Sequence, residues 1–222
     1  MKTITILATL LLAVGLFSCS ESATEAPNEL GGDTNIPLNT LGNTFSTSVS
    51  FGGTYMDIHD TIYIQKSEGG FITYKIWADL SNYPMLKAIL PPARLDSAGN
   101  LNTTIHFKVT SEGMQDYRLA DSDFSKPFTI VKYNCKVGDS YQFTPSGGAT
   151  VTRTVTQKST TDDFYYGFLL IKTNTTEEEP VNDFVGVKKI KYVTNHKFGL
   201  VQIVAVMNDN SELRIMLFPN LY

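Results

Sequence analysis

Cysteine is nearly missing from this chain. Of 222 residues only Cys19 and Cys135 carry a thiol, and tryptophan appears once, as Trp77. Two cysteines allow one disulfide at most, so the fold cannot rest on a disulfide framework. Histidine is almost as scarce: His59, His106 and His196 lie far apart. A zinc site needs three or four converging ligands, usually with some closely spaced. Asp57, His59 and Asp60 form the nearest cluster, but strand alternation sends Asp60 away from the other two. All three histidines therefore read as solvated, and no metal site is expected.

Positive charge is also short. Eighteen Lys and Arg stand against 22 Asp and Glu, for a net charge of −4. A nucleic-acid binder would show a basic patch or stripe. The longest basic cluster, Lys188-Lys189-Ile190-Lys191, reads as a solvated strand face. No nucleic-acid partner is expected. A phosphate-cradling glycine loop and a Gly-x-Ser-x-Gly elbow are both missing. Asp79, Glu112 and Asp116 read as turn and edge residues. No catalytic residue is assigned, and the chain reads as a non-enzyme, with a hydrolase as the weakest alternative. Methionines Met56, Met85, Met114, Met207 and Met216 beside the histidines offer ligands for a haem iron. Core packing accounts for them more simply, so no cofactor is expected.

What the chain does have begins at its start. Lys2 gives a positive charge, residues 4–17 are almost unbroken apolar sequence, and Leu16-Phe17-Ser18-Cys19 follows. A cationic head, an apolar stretch and a small residue before the cut make a secretory signal. The stretch is too short for a membrane-spanning helix, which needs ~20 apolar residues. The four residues ending in Cys19 resemble the lipobox of bacterial lipoproteins, with Phe17 as the departure. That resemblance implies cleavage after Ser18, acylation of Cys19 with chains such as palmitate, and anchoring to a membrane. Ser20 after the cysteine implies sorting to the outer membrane. Ser20-Glu21-Ser22 supplies one acid only, so the periplasmic and surface faces stay open. With Cys19 acylated, Cys135 has no disulfide partner, and its setting among Val131, Tyr133 and Val137 predicts a buried, inert thiol. Residues 20–43 are rich in Ser, Thr, Asn, Gly and Pro and read as a flexible tether.

From residue 44 to 222 the pattern is that of strands, in one domain with a sub-boundary open near residues 125–137. Met56, Ile58, Ile62 and Ile64 share a face, with Asp60 as the polar intruder, and Ile72, Tyr74, Ile76 and Ala78 share another. Gly69-Gly70 joins these segments into a hairpin. Tyr83 to Leu90 fits a short helix or an extended crossover. Strands are expected over 105–109, 128–136, 141–143, 151–155, 164–172, 187–193, 200–207 and 213–218, with Glu177-Glu178-Glu179-Pro180 as an exposed loop. Residues 200–207 are apolar on both faces, which predicts a central strand covered on both sides. The expected fold class is all-β: an antiparallel meander forming an open barrel or sandwich, with little helix.

Val137-Gly138-Asp139-Ser140-Tyr141, Val151 to Val155, Phe168 to Lys172, Lys191-Tyr192 and Phe198-Gly199-Leu200-Val201 resemble, in turn and strand order, meanders of Bacteroidota envelope lipoproteins and the curved sheets of the lipoprotein carriers LolA and LolB. The resemblance covers roughly residues 137–218. It implies a lipid-anchored, non-catalytic binding protein for an apolar or glycan ligand. A structural or partner-binding surface lipoprotein is the alternative. Phe71, Trp77, Tyr165 and Tyr166 are the candidate ligand-binding aromatics, since outward rings can stack on a sugar or line a groove. Asp60-Thr61-Ile62 and Asp96-Ser97-Ala98 resemble short O-glycosylation acceptor motifs of Bacteroidota, at Thr61 and Ser97. Replacing Cys19 with Ser should release the protein from the membrane fraction and abolish incorporation of labelled palmitate. Label retained by the Cys19→Ser protein would refute the lipid anchor.

Overall fold

Residues 28–220 are described by a computed structural model; the signal segment and Cys19 lie outside them. Among the described residues fifteen strands form: β1 (Thr44–Phe51), β2 (Thr54–Met56), β3 (Asp60–Glu68), β4 (Phe71–Ala78), β5 (Leu101–Thr110), β6 (Gly113–Asp116), β7 (Phe128–Lys132), β8 (Ser140–Phe143), β9 (Val151–Lys158), β10 (Phe164–Tyr166), β11 (Leu169–Ile171), β12 (Asn174–Glu179), β13 (Val187–Asn195), β14 (Gly199–Met207) and β15 (Glu212–Pro219). Helix is confined to α1 (Pro84–Ile89) and two single 3-10 turns, Pro37–Asn39 and Pro92–Arg94. Pro84 opens α1, where its missing N–H costs nothing, and Pro91 follows its end.

Thirteen strands make one antiparallel sheet in the order β7-β6-β5-β4-β3-β1-β15-β14-β13-β12-β9-β8, with β2 added beside β1. The sheet curls until its two edges, β7 and β8, come side by side. They share no ladder, so the barrel is nearly closed with one seam. The expected all-β, open-barrel architecture with little helix is the one the chain adopts. Alternation also sorts the faces as read from sequence. Tyr74, Ile76 and Ala78 face the interior from β4, and Ile62 and Asp60 from β3.

Four segments depart from expectation. The strand expected over 128–136 ends at Lys132, where a turn brings the Cys135 N–H to the Lys132 carbonyl at 2.9 Å. Residues 164–172 are a hairpin, β10–β11, folded at Gly167 with φ 59°. That hairpin covers the outer face of β13–β15 through Tyr166, Ile171, Val193 and Val201, as the two-sided apolar pattern of β14 requires. The Glu177-Glu178-Glu179 run belongs to strand β12, and Glu178 is fully buried. Residues 28–43, read as tether, pack on the barrel. Leu30 is buried against Gly113, where any Cβ would collide with the Val131 carbonyl and the Leu30 side chain.

Side chains close the seam where a ladder is missing. Arg153 on β9 is wholly buried. Its guanidinium donates to Glu178 on β12 at 2.8 Å, to Asp116 on β6 at 2.7 Å, and to the Phe128 carbonyl of edge strand β7 at 3.0 Å. It also lies over the Phe128 ring, 3.9 Å from the centroid. Arg118 pairs with the second Glu178 oxygen and with Asp183. Tyr192 donates to Glu178 at 3.1 Å. Farther along the seam, the Lys132 N–H donates to Tyr141 Oη at 3.2 Å, and Lys158 Nζ donates to the Cys135 carbonyl at 2.6 Å. Asn28 spans the same gap. It accepts from Gln115 and Thr129 on β6 and β7, and donates to the Gln142 carbonyl on β8.

Burial alone would raise the pKa of Glu178; Arg153 and Arg118 reverse that and hold it below the ordinary value. A carboxylate that resists protonation in the folded state contributes stability above its unfolded pKa and loses it as pH falls. Stability should therefore decline as pH drops below about 4.5, and the decline should be shallower in Glu178→Gln. Arg153→Leu strips Asp116 of its cation and leaves Glu178 with Arg118 alone, and should cost about 3–5 kcal/mol in urea unfolding. A loss under about 1 kcal/mol would show that the network does not hold the seam.

Candidate functional site: the barrel lumen

The curled sheet encloses a cavity of about 290 Å³, walled by the inward residues of β1, β3–β6 and β13–β15. The wall is almost entirely apolar. Ile76, Leu101, Ile105, Ile203, Ala205 and Ile215 point inward yet are only half-buried, because they face open space rather than each other. Apolar voids of this kind are costly, since the lining atoms forgo contacts on one side. Engineered apolar cavities of ~150 Å³ stay dry and bind small hydrocarbons.

The two ends differ. At the end where β3 starts and β4 finishes, Leu80, Leu86 and Ile89 are buried and α1 closes the lumen, with Arg94 and Phe184 beside it. At the opposite end the chain from Thr34 to Asn43 crosses as a strap. It is pinned by Asn43, whose amide donates to the Pro37 and Leu38 carbonyls at 3.1 Å each. Ile36, Leu38, Phe45, Leu200 and Leu217 line this end and stay half-exposed, so the lumen is accessible here. The β13–β14 turn shares the rim. Register places it there: β14 starts beside the end of β15, which lies beside the start of β1.

Two polar side chains on the wall stand out. Asp60, the intruder seen in the sequence, accepts from the Thr47 hydroxyl near the closed end. Asn39, on the strap's 3-10 turn, is 7% exposed, and its amide nitrogen has no hydrogen-bond partner among the described residues. A buried donor left unpaired costs about 1–3 kcal/mol. Neither Asn39 nor Thr47 was singled out by sequence. The available signal was weak: a polar residue within the apolar Ile36-Pro37-Leu38 stretch.

None of the four candidate aromatics lines the lumen. Trp77 is half-buried on the outer face of β4, where the His59 ring meets it edge-on with centroids 5.7 Å apart. Phe71 belongs to an outer cluster with His106, Tyr117 and Phe124. Tyr166 is buried under its own hairpin, and its hydroxyl donates to the Leu217 carbonyl at 2.5 Å. Tyr165 is exposed on the hairpin's far side with Phe168, Leu169 and Leu170. The structure thus splits the four between three places. Thr61 lies exposed on β3 and Ser97 exposed in a turn. His59 and His196 are exposed as expected. His106 is not: it is half-buried, stacked 5.5 Å from Phe71, and burial lowers its pKa. Asp116, read as an edge residue, sits in the buried ion network instead. Cys135 is buried, and burial pushes its thiol pKa up. A thiol-specific reagent should therefore leave Cys135 untouched in the native protein at neutral pH and modify it only after denaturation. Stoichiometric native labelling would contradict this placement.

No family model matches the chain, and no curated protein does. Among solved structures, a Bacteroides fragilis protein described as exported, with a YmcC-like fold, aligns with 81% of this chain and 95% of its own at 8% identity and a TM-score of 0.46.

Proposed function

We propose that this chain is a non-catalytic binding protein of the cell envelope whose barrel lumen holds an elongated apolar ligand. The observation that carries the reading is the row of inward, half-buried aliphatic side chains around an open cavity. Pockets of this build bind through apolar contact, with a few polar groups setting orientation. A glycan would need many paired hydroxyls, and this wall offers few partners, so a hydrocarbon ligand fits better. The signal segment and the lipobox at Cys19 support an envelope location and a membrane partner.

A second reading, docking of an envelope protein partner, is favoured by the outer hairpin. Tyr165, Phe168, Leu169 and Leu170 form an exposed apolar patch there, with Phe168 fully exposed. Such patches mark interaction surfaces on soluble domains.

Native mass spectrometry of the protein purified from its own envelope tests the first reading. A reproducible extra mass should leave on denaturation and partition into organic solvent. Ala205→Trp fills the lumen from β14 and should abolish that mass while keeping the circular dichroism spectrum. A bare protein that also fails to shift an environment-sensitive apolar dye would overturn the lumen as a binding site.

A further inference from the structure

The polar groups on the lumen wall are distributed unevenly, and their signs differ. Near the closed end the wall carries one acid, Asp60, accepting from Thr47, and one cation, Arg94, whose charge is already met by Asp183. At the strap end its lining carries no acid among the described residues. The Asn39 amide is more than nine-tenths buried, lines the lumen and has no side-chain partner among the described residues. His196 and Lys197, on the β13–β14 turn, complete the rim. Lys197 Nζ lies 5.4 Å over the Phe198 ring and forms no ion pair among the described residues. The rim turn is itself held firmly: Asn195 accepts from the Lys197 and Phe198 N–H groups at 2.8 and 3.0 Å.

Resting on the lumen reading above, we infer that the ligand is a single-chain amphiphile with an anionic, oxygen-bearing head, a carboxylate such as that of a fatty acid. The head sits at the strap end. It accepts from the Asn39 amide and faces Lys197, while the hydrocarbon tail runs inward toward α1. Asp60 favours this polarity, because a carboxylate beside it would meet like charge inside an apolar wall, and Arg94 at the same end already faces Asp183. The reversed orientation would also leave the Asn39 donor facing hydrocarbon.

Displacement of an apolar fluorescent dye from the full protein, stripped of endogenous lipid, tests this with three probes of equal chain length. They are palmitate, methyl palmitate and hexadecylamine. Palmitate should displace the dye at the lowest concentration and the amine at the highest. Lys197→Glu, at an exposed position where folding is little affected, should erase or invert the order of palmitate and amine. Asn39→Leu should weaken palmitate about tenfold and weaken the ester as well, since both present a carbonyl oxygen. An unfolding midpoint at or above the parent's would show that Asn39→Leu acts on binding rather than on folding. Equal displacement by acid and amine, or an Asn39→Leu protein that binds palmitate unchanged, would overturn the head-group assignment and leave the lumen reading standing. A protein that takes up neither dye nor any of the three chains would overturn the lumen reading itself.

Discussion

Everything in this barrel depends on how a sheet with two unpaired edges is kept shut. A ladder between β7 and β8 would be the ordinary solution, and the chain does not use it. Arg153 replaces it. One guanidinium, with five donors in a rigid fork, reaches the acids of two strands and the free carbonyl of a third. The arrangement is expensive. Three ionised groups lose their water, and an apolar trio of similar volume would often do as well. It has an advantage that an apolar trio lacks. The Phe128 carbonyl belongs to an edge strand and would otherwise be buried without a donor. Satisfying that oxygen is a reason for a cation, rather than a leucine, at position 153.

Closing a sheet in this way also explains why the interior is hollow. Sandwiches fill themselves, because two inner faces interdigitate about 10 Å apart. A curled sheet holds its walls apart through strand tilt and register, and the interior fills only if the side chains are large enough. Here β14 and β15 turn inward only aliphatic side chains, with Ile203, Ala205 and Ile215 in mid-strand, too small to reach across. Rings do line the other walls, at Phe45, Tyr74, Phe107 and Tyr133, but many more lie outside the lumen. Phe71, His106, Tyr117 and Phe124 cluster outside, and Tyr166, Phe198 and Phe218 pack under the β10–β11 hairpin. The small residues of β14 and β15 leave space that the inward rings do not fill.

That division decides how much could be read from the sequence. Period-two alternation gives the inward face of β3 and β4 residue by residue, including the misfit Asp60. It also gives the two-sided burial of β14. Alternation says which side chains share a face; it does not say whether that face meets another wall or empty space. The outward aromatics Trp77 and Phe71 therefore looked like the richer surface, while the plain aliphatic face was the lining of the cavity. The Glu177-Glu178-Glu179 run was misread for a related reason. Three acids in a row have the composition of a loop, and only Arg153, distant in sequence, and Lys189, which pairs with Glu177 at 2.6 Å, turn the segment into a strand. Residues 164–172 were read as one strand because eight of nine positions suit a strand, and Gly167 was the single signal for a hairpin.

The seam and the open end of the lumen are joined by one stretch of chain. Asn28 bridges β6, β7 and β8, Leu30 fills the notch at Gly113, and the strap then crosses the rim and lines the cavity with Ile36, Leu38 and Asn39. Few apolar side chains in this stretch are buried, and most of its hydrogen bonds are exposed to water. Segments of that kind open at lower free energy than core strands. The strap is thus the part of the rim that can yield without breaking the sheet. It is continuous with the segment that leads back to Cys19, the expected lipid anchor. Eight residues separate Cys19 from Asn28, a reach of at most ~30 Å for an extended chain. The same short connection that would hold the domain near a lipid surface therefore runs directly into the element guarding the lumen.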